Sequence, residues 1–394
     1  MRWNRLANRF ASPACGMLVL AAGLLVSGCR APSIALSLPD PEHIDAYGGL
    51  RFDVSSGDFL ARGADLADLA ELEIVGRSVV LPVVPSFRHV RAGTPALVVA
   101  ADPVRPLCAT ISHGEAATRW GIAERKPGTR SVWRPAPGVA FPVPARVRIV
   151  RKGGFAAAAA FPALRHSTRR EDYPELDDAA YANFRAVTAP RIASNRLYRS
   201  SSPLDPSLGR AGFADSAARA AGIRTIVNMT DHAETAAAYP GAAGRYALSC
   251  NTLYVPMGVD FTLPSFMDGL RDGIRFFATY GPPCLFHCKE GQDRTGFACA
   301  VIELLCGATL DEARQDYLLS FRNTCQVEEA SPLAASLAQD FDDNLRAAFG
   351  LDDLPSADLA QAARDYLLRT GLEEREIDDF LQCVGPDSPP ENRP

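Results

Sequence analysis

Lysine is almost missing from this sequence: Lys126, Lys152 and Lys289 stand against 38 arginines, so a lysine inside any motif is conspicuous. No apolar run approaches the roughly 20 residues that a membrane-spanning helix needs. No self-similar period of the kind that marks solenoids or propellers is visible. Neither sign of charge dominates, and a net charge of −5 leaves no electrostatic footprint for a nucleic-acid partner. What is present is ordinary for a soluble globular chain, 47% hydrophobic and 22% charged. A length of 394 residues suggests two domains with ample cores.

Residues 1–29 read as a targeting segment. Arg2, Arg5 and Arg9 give a basic start and Met17–Val26 an apolar stretch, too short to span a bilayer and suited to an export signal. The closing Val26-Ser27-Gly28-Cys29 resembles the bacterial lipobox, which implies lipidation of Cys29. Several acyl chains anchor stably where one is marginal. Arg30 follows with no aspartate, which in a Gram-negative cell favours the outer membrane. The expectation is a lipoprotein of the cell envelope, membrane-anchored at Cys29 and facing out of the cytoplasm. Such a compartment permits disulfides, while a reactive thiol there is open to oxidation.

Residues 30–165 are expected to form a small β-rich domain, barrel or sandwich. Leu72–Val75, Ser78–Val84, Ala96–Ala100 and Ala145–Val150 are β-branched runs bounded by Gly, Pro or Asp. His89 and His113 have no ligand spacing there and read as structural. A polar stretch around 165–180 reads as a linker. From 175 to 345 short strands alternate with helices, the pattern of an α/β domain with a parallel sheet flanked by helices. Within it, Thr309-Leu-Asp-Glu312 is a capping box that starts a helix. Residues 346–394 are expected to be a helical tail with a disordered, Pro-rich end.

Chemistry concentrates at 287–296, His-Cys-Lys-Glu-Gly-Gln-Asp-Arg-Thr-Gly. A strand running through a tight loop into a helix N-terminus is an anion site, because loop amides and the helix dipole favour negative charge. Cys288 at the start of such a loop has its thiolate favoured. Arg294, six positions on, can fork onto two phosphate oxygens. Gly291 lets the backbone curl, the Thr295 hydroxyl suits the thiolate, His287 can fix the loop through the backbone, and Gly296 permits close helix packing. Phosphate is thus expected along Lys289, Glu290, Gly291, Gln292, Asp293, Arg294 and Thr295. A zinc cluster of Cys284, His287, Cys288 and Cys299 has the wrong spacing. The chemistry needs no metal or organic cofactor.

These ten residues resemble the signature of the protein tyrosine phosphatase superfamily, and Asp293-Arg294-Thr295 resembles the branch of bacterial tyrosine and lipid phosphatases. Asn183-Phe-Arg185, Leu197–Pro203, Gly222–Asn228 and Asp316–Asn323 extend the likeness to a bacterial tyrosine-phosphatase-like family. The resemblance implies a cysteine-dependent phosphatase in which Cys288 forms a phosphocysteine. It also implies an aspartic general acid, either Asp260 in Met257–Pro264 or Asp293 in the loop, with Asp231 a third choice. Cys284 or Cys299 would be the resolving partner of an oxidised Cys288. Glu290 opposes Lys289 and Gln292 is neutral, which leans towards phosphotyrosine. The alternatives are a phosphoinositide or inositol-phosphate substrate, or a catalytically weak phosphate-binding module. The partners expected are a phosphorylated protein or lipid and the membrane, and no nucleic acid.

Overall fold

Alternating apolar and polar residues shape the N-terminal half. In β1 (Ile34–Leu38), β2 (Leu50–Ser55) and β3 (Leu69–Ile74) every second side chain is buried, as in strands with one wet face. The short helix α1 (Ser56–Ala61) interrupts them. Further on come β4 (Arg77–Val84), β5 (Pro95–Val98), β6 (Pro106–Ile111), the turn-like α2 (Ala116–Arg119), a separate hairpin of β7 (Ala123–Arg125) and β8 (Trp133–Pro135), and β9 (Val143–Arg151). Seven strands join in the order β1-β9-β3-β4-β5-β6-β2, antiparallel except for β4 on β5. The edge strands β1 and β2 meet again where the Ser37 amide donates to Asp53 (2.8 Å), so the sheet curls into an incomplete barrel. Phe52, Phe59, Leu72, Leu81, Leu97 and Leu107 fill its interior.

This computed structural model describes residues 33–386 apart from 128, 130, 156–163 and 165. The leader with Cys29 and the expected disordered end lie outside them. Among the described residues no helix is long and apolar enough to cross a membrane.

The described residues of the stretch that reads as a linker are mostly exposed, with buried aromatic anchors at and just beyond it. Tyr173 and Tyr181, the latter closing α3 (Asp178–Tyr181), are fully buried. The Tyr173 hydroxyl donates to the Thr324 carbonyl (2.7 Å).

The second sheet contains β10 (Arg185–Ala186), β11 (Leu197–Ser200), β12 (Thr225–Asn228), β13 (Asn251–Tyr254) and β14 (Cys284–His287) in the order β10-β11-β14-β12-β13. Every pairing is parallel except β10 with β11. The strands β11, β12 and β14 are buried at all positions because helices cover both faces. The helices α4 (Ala211–Ala220) and α5 (Ala233–Ala238) pack with Ile226 and Leu285 on one face. On the other, α6 (Pro264–Tyr280), α7 (Asp293–Leu305), α8 (Leu310–Cys325), α9 (Pro332–Phe349), α10 (Leu359–Arg369) and α11 (Glu374–Val384) share one core with Val227 and Phe286. The helices beyond 345 therefore belong to that core, and Tyr366 of α10 donates its hydroxyl to the Phe261 carbonyl (2.6 Å).

Candidate active site

The strand β14 sits in the middle of the sheet and its last residue, His287, pairs with Ser200 and Asn228 on either side. Residues 288–292 form a loop that closes onto the N-terminus of α7. Gly291 has a φ of +72°, and a Cβ there would collide with the backbone of Ser200 and Ser201. Only glycine lets the loop lie this close to β11.

Segments remote in sequence brace the loop. Asn183 donates from Nδ2 to the Gly291 carbonyl (3.1 Å) and Arg199 donates to the same oxygen (2.9 Å). The Ser202 amide donates to the Lys289 carbonyl (3.1 Å). Arg199 and Arg185 share Asp316 of α8, Arg185 at 2.6 Å. Burial opposes the charge on Asp316, but the two guanidinium groups outweigh it and hold its pKa at about 2. Gln292 is buried and donates to the Thr324 hydroxyl and towards Cys325 Sγ (3.2 Å), so its side chain serves the loop's own structure.

Cys288 and Arg294 line one cavity of about 770 Å³. Arg294 is 4% exposed and is aimed by a hydrogen bond to the Met229 carbonyl (2.8 Å). Burial works against its charge, yet the Cys288 sulfur, Tyr47 and Asp293 more than compensate and raise its pKa. His287 Nδ1 donates to the Cys288 carbonyl (3.3 Å), and burial pushes the imidazole down to about 4, so it is neutral at physiological pH. A Cβ on Gly296 would lie 2.6 Å from the Tyr317 ring; glycine there allows α7 and α8 to pack. The Thr295 hydroxyl is buried with no hydrogen-bond partner among the described residues.

The roof of the cavity comes from the β-rich half. Tyr47, Arg88 and His113 line it together with Cys288 and Arg294, and the Arg294 guanidinium lies 5.9 Å from the Tyr47 ring centre. Arg88 reaches Asp293 (3.6 Å) and Glu290 (3.8 Å). Asp293 also faces His113 Nε2 at 3.6 Å. Burial alone would raise the Asp293 pKa, but Arg88, His113 and Arg294 drive it far below the usual carboxylate range. Asp260 is buried and held two-pronged by Arg119 (3.0 and 3.0 Å), and Val259, not Asp260, lines the cavity. Asp231 is buried and accepts from the Tyr239 hydroxyl (2.9 Å). Lys289 is 3.8 Å from Asp205.

His113 reads as structural in sequence, but the fold puts it against the loop. No local pattern marks Tyr47, Arg88 or His113, because their neighbours in space are far away along the chain. The resolving-cysteine expectation also changes. Cys284 begins β14 and Cys288 follows its last residue, roughly 13 Å along an extended chain. A disulfide needs Cα atoms within about 7 Å, so Cys284 cannot bridge to Cys288 in this fold.

Residues 180–376, half of the chain, match the tyrosine phosphatase family. No curated protein matches the sequence. Among solved structures, P. aeruginosa TpbA in complex with pTyr is 17% identical, with 50% of this chain and 94% of that one covered at a TM-score of 0.31. The core catalytic domain of the PP-IP phosphatase SIW14 from S. cerevisiae is 19% identical, covering 41% and 86% at a TM-score of 0.27. An uncharacterized conserved protein from Thermotoga maritima is 14% identical over 29% of this chain at a TM-score of 0.21, and the match spans 36% of that protein's length.

Proposed function

This chain belongs to the tyrosine phosphatase family, and we propose that it hydrolyses phosphomonoesters through a phosphocysteine at Cys288. The observation that carries the proposal is the sharing of one cavity by Cys288 and Arg294, with the arginine's charge reinforced by the sulfur beside it. The Cys288 thiolate attacks phosphorus as the ester P–O bond breaks. Arg294 and the amides of 289–294 stabilise the equatorial oxygens, whose charge grows in the transition state. Water then attacks the phosphocysteine and the thiolate leaves. The ionised Asp293 fixes the start of α7 against Arg88.

A tyrosine-type monophosphate ester is the substrate class that this loop favours. Its own extra cation, Lys289, faces Asp205, Glu290 is matched by Arg88, and Gln292 is turned into the protein. The second reading, a phosphoinositide or inositol phosphate, draws on Arg51 and Arg105 at the cavity wall. Phosphate release from a phosphotyrosyl peptide and from a phosphoinositide panel separates the two. The expected result is preference for the peptide and complete loss in Cys288→Ser. Full turnover by Cys288→Ser would sink the mechanism, and a strong lipid preference the substrate class.

The leader supports a lipoprotein exported to the cell envelope and anchored at Cys29. Labelled palmitate should enter the wild type and not Cys29→Ser; equal labelling of both would rule the anchor out.

A further inference from the structure

We propose that His113, carried by the β-rich half, is the general acid and base of the phosphatase reaction; the inference rests on the phosphocysteine mechanism above. Departure of an ester oxygen needs a proton, and the donor must reach the cavity that holds Cys288. The carboxylates lining that cavity are Asp45, Glu290 and Asp293. Asp45 accepts the amides of Tyr47 (2.8 Å) and Gly49 (2.9 Å) and caps its own turn. Glu290 and Asp293 are both turned onto Arg88. The other imidazole in the wall, His166, is pushed towards its neutral form chiefly by burial and sits against Cys325 Sγ (3.6 Å). That leaves His113.

Its placement suits the role. Nε2 stands 3.6 Å from Asp293 Oδ1, beside the loop and too far for a good hydrogen bond to tie up its proton. Nδ1 is buried with no partner among the described residues, and Nε2 is the nitrogen turned to Asp293, on the side of the loop. The ring is stacked on Phe261, centres 6.2 Å apart, which limits its swing. His113 adopts a φ of +48°, a left-handed conformation that a non-glycine residue takes at a cost. The groups around the ring come from several elements. From α7 come Asp293 and Arg294, and from α9 Asp340. Asp260, before α6, is neutralised by Arg119. Arg88 and His89 of the same half, with His166, complete the surroundings.

Two steps follow. As the Cys288 lone pair forms the S–P bond and the ester P–O bond breaks, the His113 imidazolium gives its Nε2 proton to the departing oxygen. The neutral imidazole then takes a proton from the water whose oxygen attacks phosphorus. The S–P bond breaks back to thiolate, releasing phosphate and restoring the imidazolium.

The test compares wild type and His113→Gln on aryl and alkyl phosphates whose leaving groups differ in acidity, across pH. Loss of an acid costs about 10²–10⁴-fold with a poor leaving group and far less with an acidic phenol, and it removes the alkaline limb of the pH profile. Because both substrates are run on one preparation, their ratio does not depend on how much of the variant is folded. An equal loss on every leaving group with an unchanged pH profile overturns the assignment. So does a leaving-group-dependent loss in Asp260→Asn or Asp293→Asn but not in His113→Gln. If wild-type turnover itself is independent of Cys288, the phosphocysteine reading falls first and this one with it.

Discussion

Burial, opposed by the Cys288 carbonyl and Asp231, pushes the His287 imidazole down to about 4, while an unfolded chain leaves histidine near 6.5. Between those values the unfolded state binds the proton that the folded state refuses. Stability is therefore lost as pH falls from about 6.5 to about 4, by roughly 3 kcal/mol in all, and this group contributes no further loss below. Denaturant unfolding of wild type and His287→Gln at about pH 7 and about pH 4.5 should show a steep loss for the wild type and a shallower one for the variant. Parallel losses would mean that the imidazole titrates normally. Asp293 acts in a more acidic range: its depressed pKa contributes stability above about 3.9, lost only as pH drops towards its folded value. At Gly291 the constraint is steric, since its φ of +72° and the nearby Ser200 backbone exclude every side chain.

The loop keeps its shape because α8 holds the residues that hold it. Asp316 is the shared carboxylate for Arg185 and for Arg199, whose side chain is wholly buried. Asp316→Asn leaves two guanidinium groups with too little negative charge, a defect that costs about 3–5 kcal/mol when a buried pair is broken. Thermal unfolding should show a clear fall in midpoint, with weaker turnover as the Gly291 carbonyl loses its brace; an unchanged midpoint would show that the network is slack. The elements themselves were legible in sequence where the signal is local. Apolar runs marked β12 and β14, and Thr309 and Glu312 marked the start of α8 through a capping box that forms as expected, at 3.2 and 2.7 Å. Helical periodicity in α10 and α11 tells which face is apolar and not what it covers, so their place in the phosphatase core did not follow from it. The reach of Arg88 and His113 to Asp293 was hidden for the same reason, since it depends on how two sheets are set against each other.

The two halves of the molecule are joined by charge. Besides Arg88 on Asp293 and Glu290, Arg119 clasps Asp260 (2.9 Å), Arg91 meets Asp343 (2.7 Å), and Ser265 donates to Glu115 (2.7 Å). Arg119→Ala leaves the buried Asp260 without its cation; since Arg119 is itself half-exposed, the expected cost is about 1–3 kcal/mol. Calorimetry should show that loss as a lower melting temperature of the protein, whereas melting indistinguishable from wild type would mean the clasp adds nothing. The β-rich half is thus part of the cavity wall rather than an appendage, and the whole chain is the unit to test. The most direct measurement is mass spectrometry of the full-length protein quenched in acid during turnover of an aryl phosphate. The mechanism predicts one phosphate on the peptide that contains Cys288, attached to that thiol and absent from Cys288→Ser. Active enzyme that never carries phosphate at Cys288, under conditions that trap the intermediate, would contradict it.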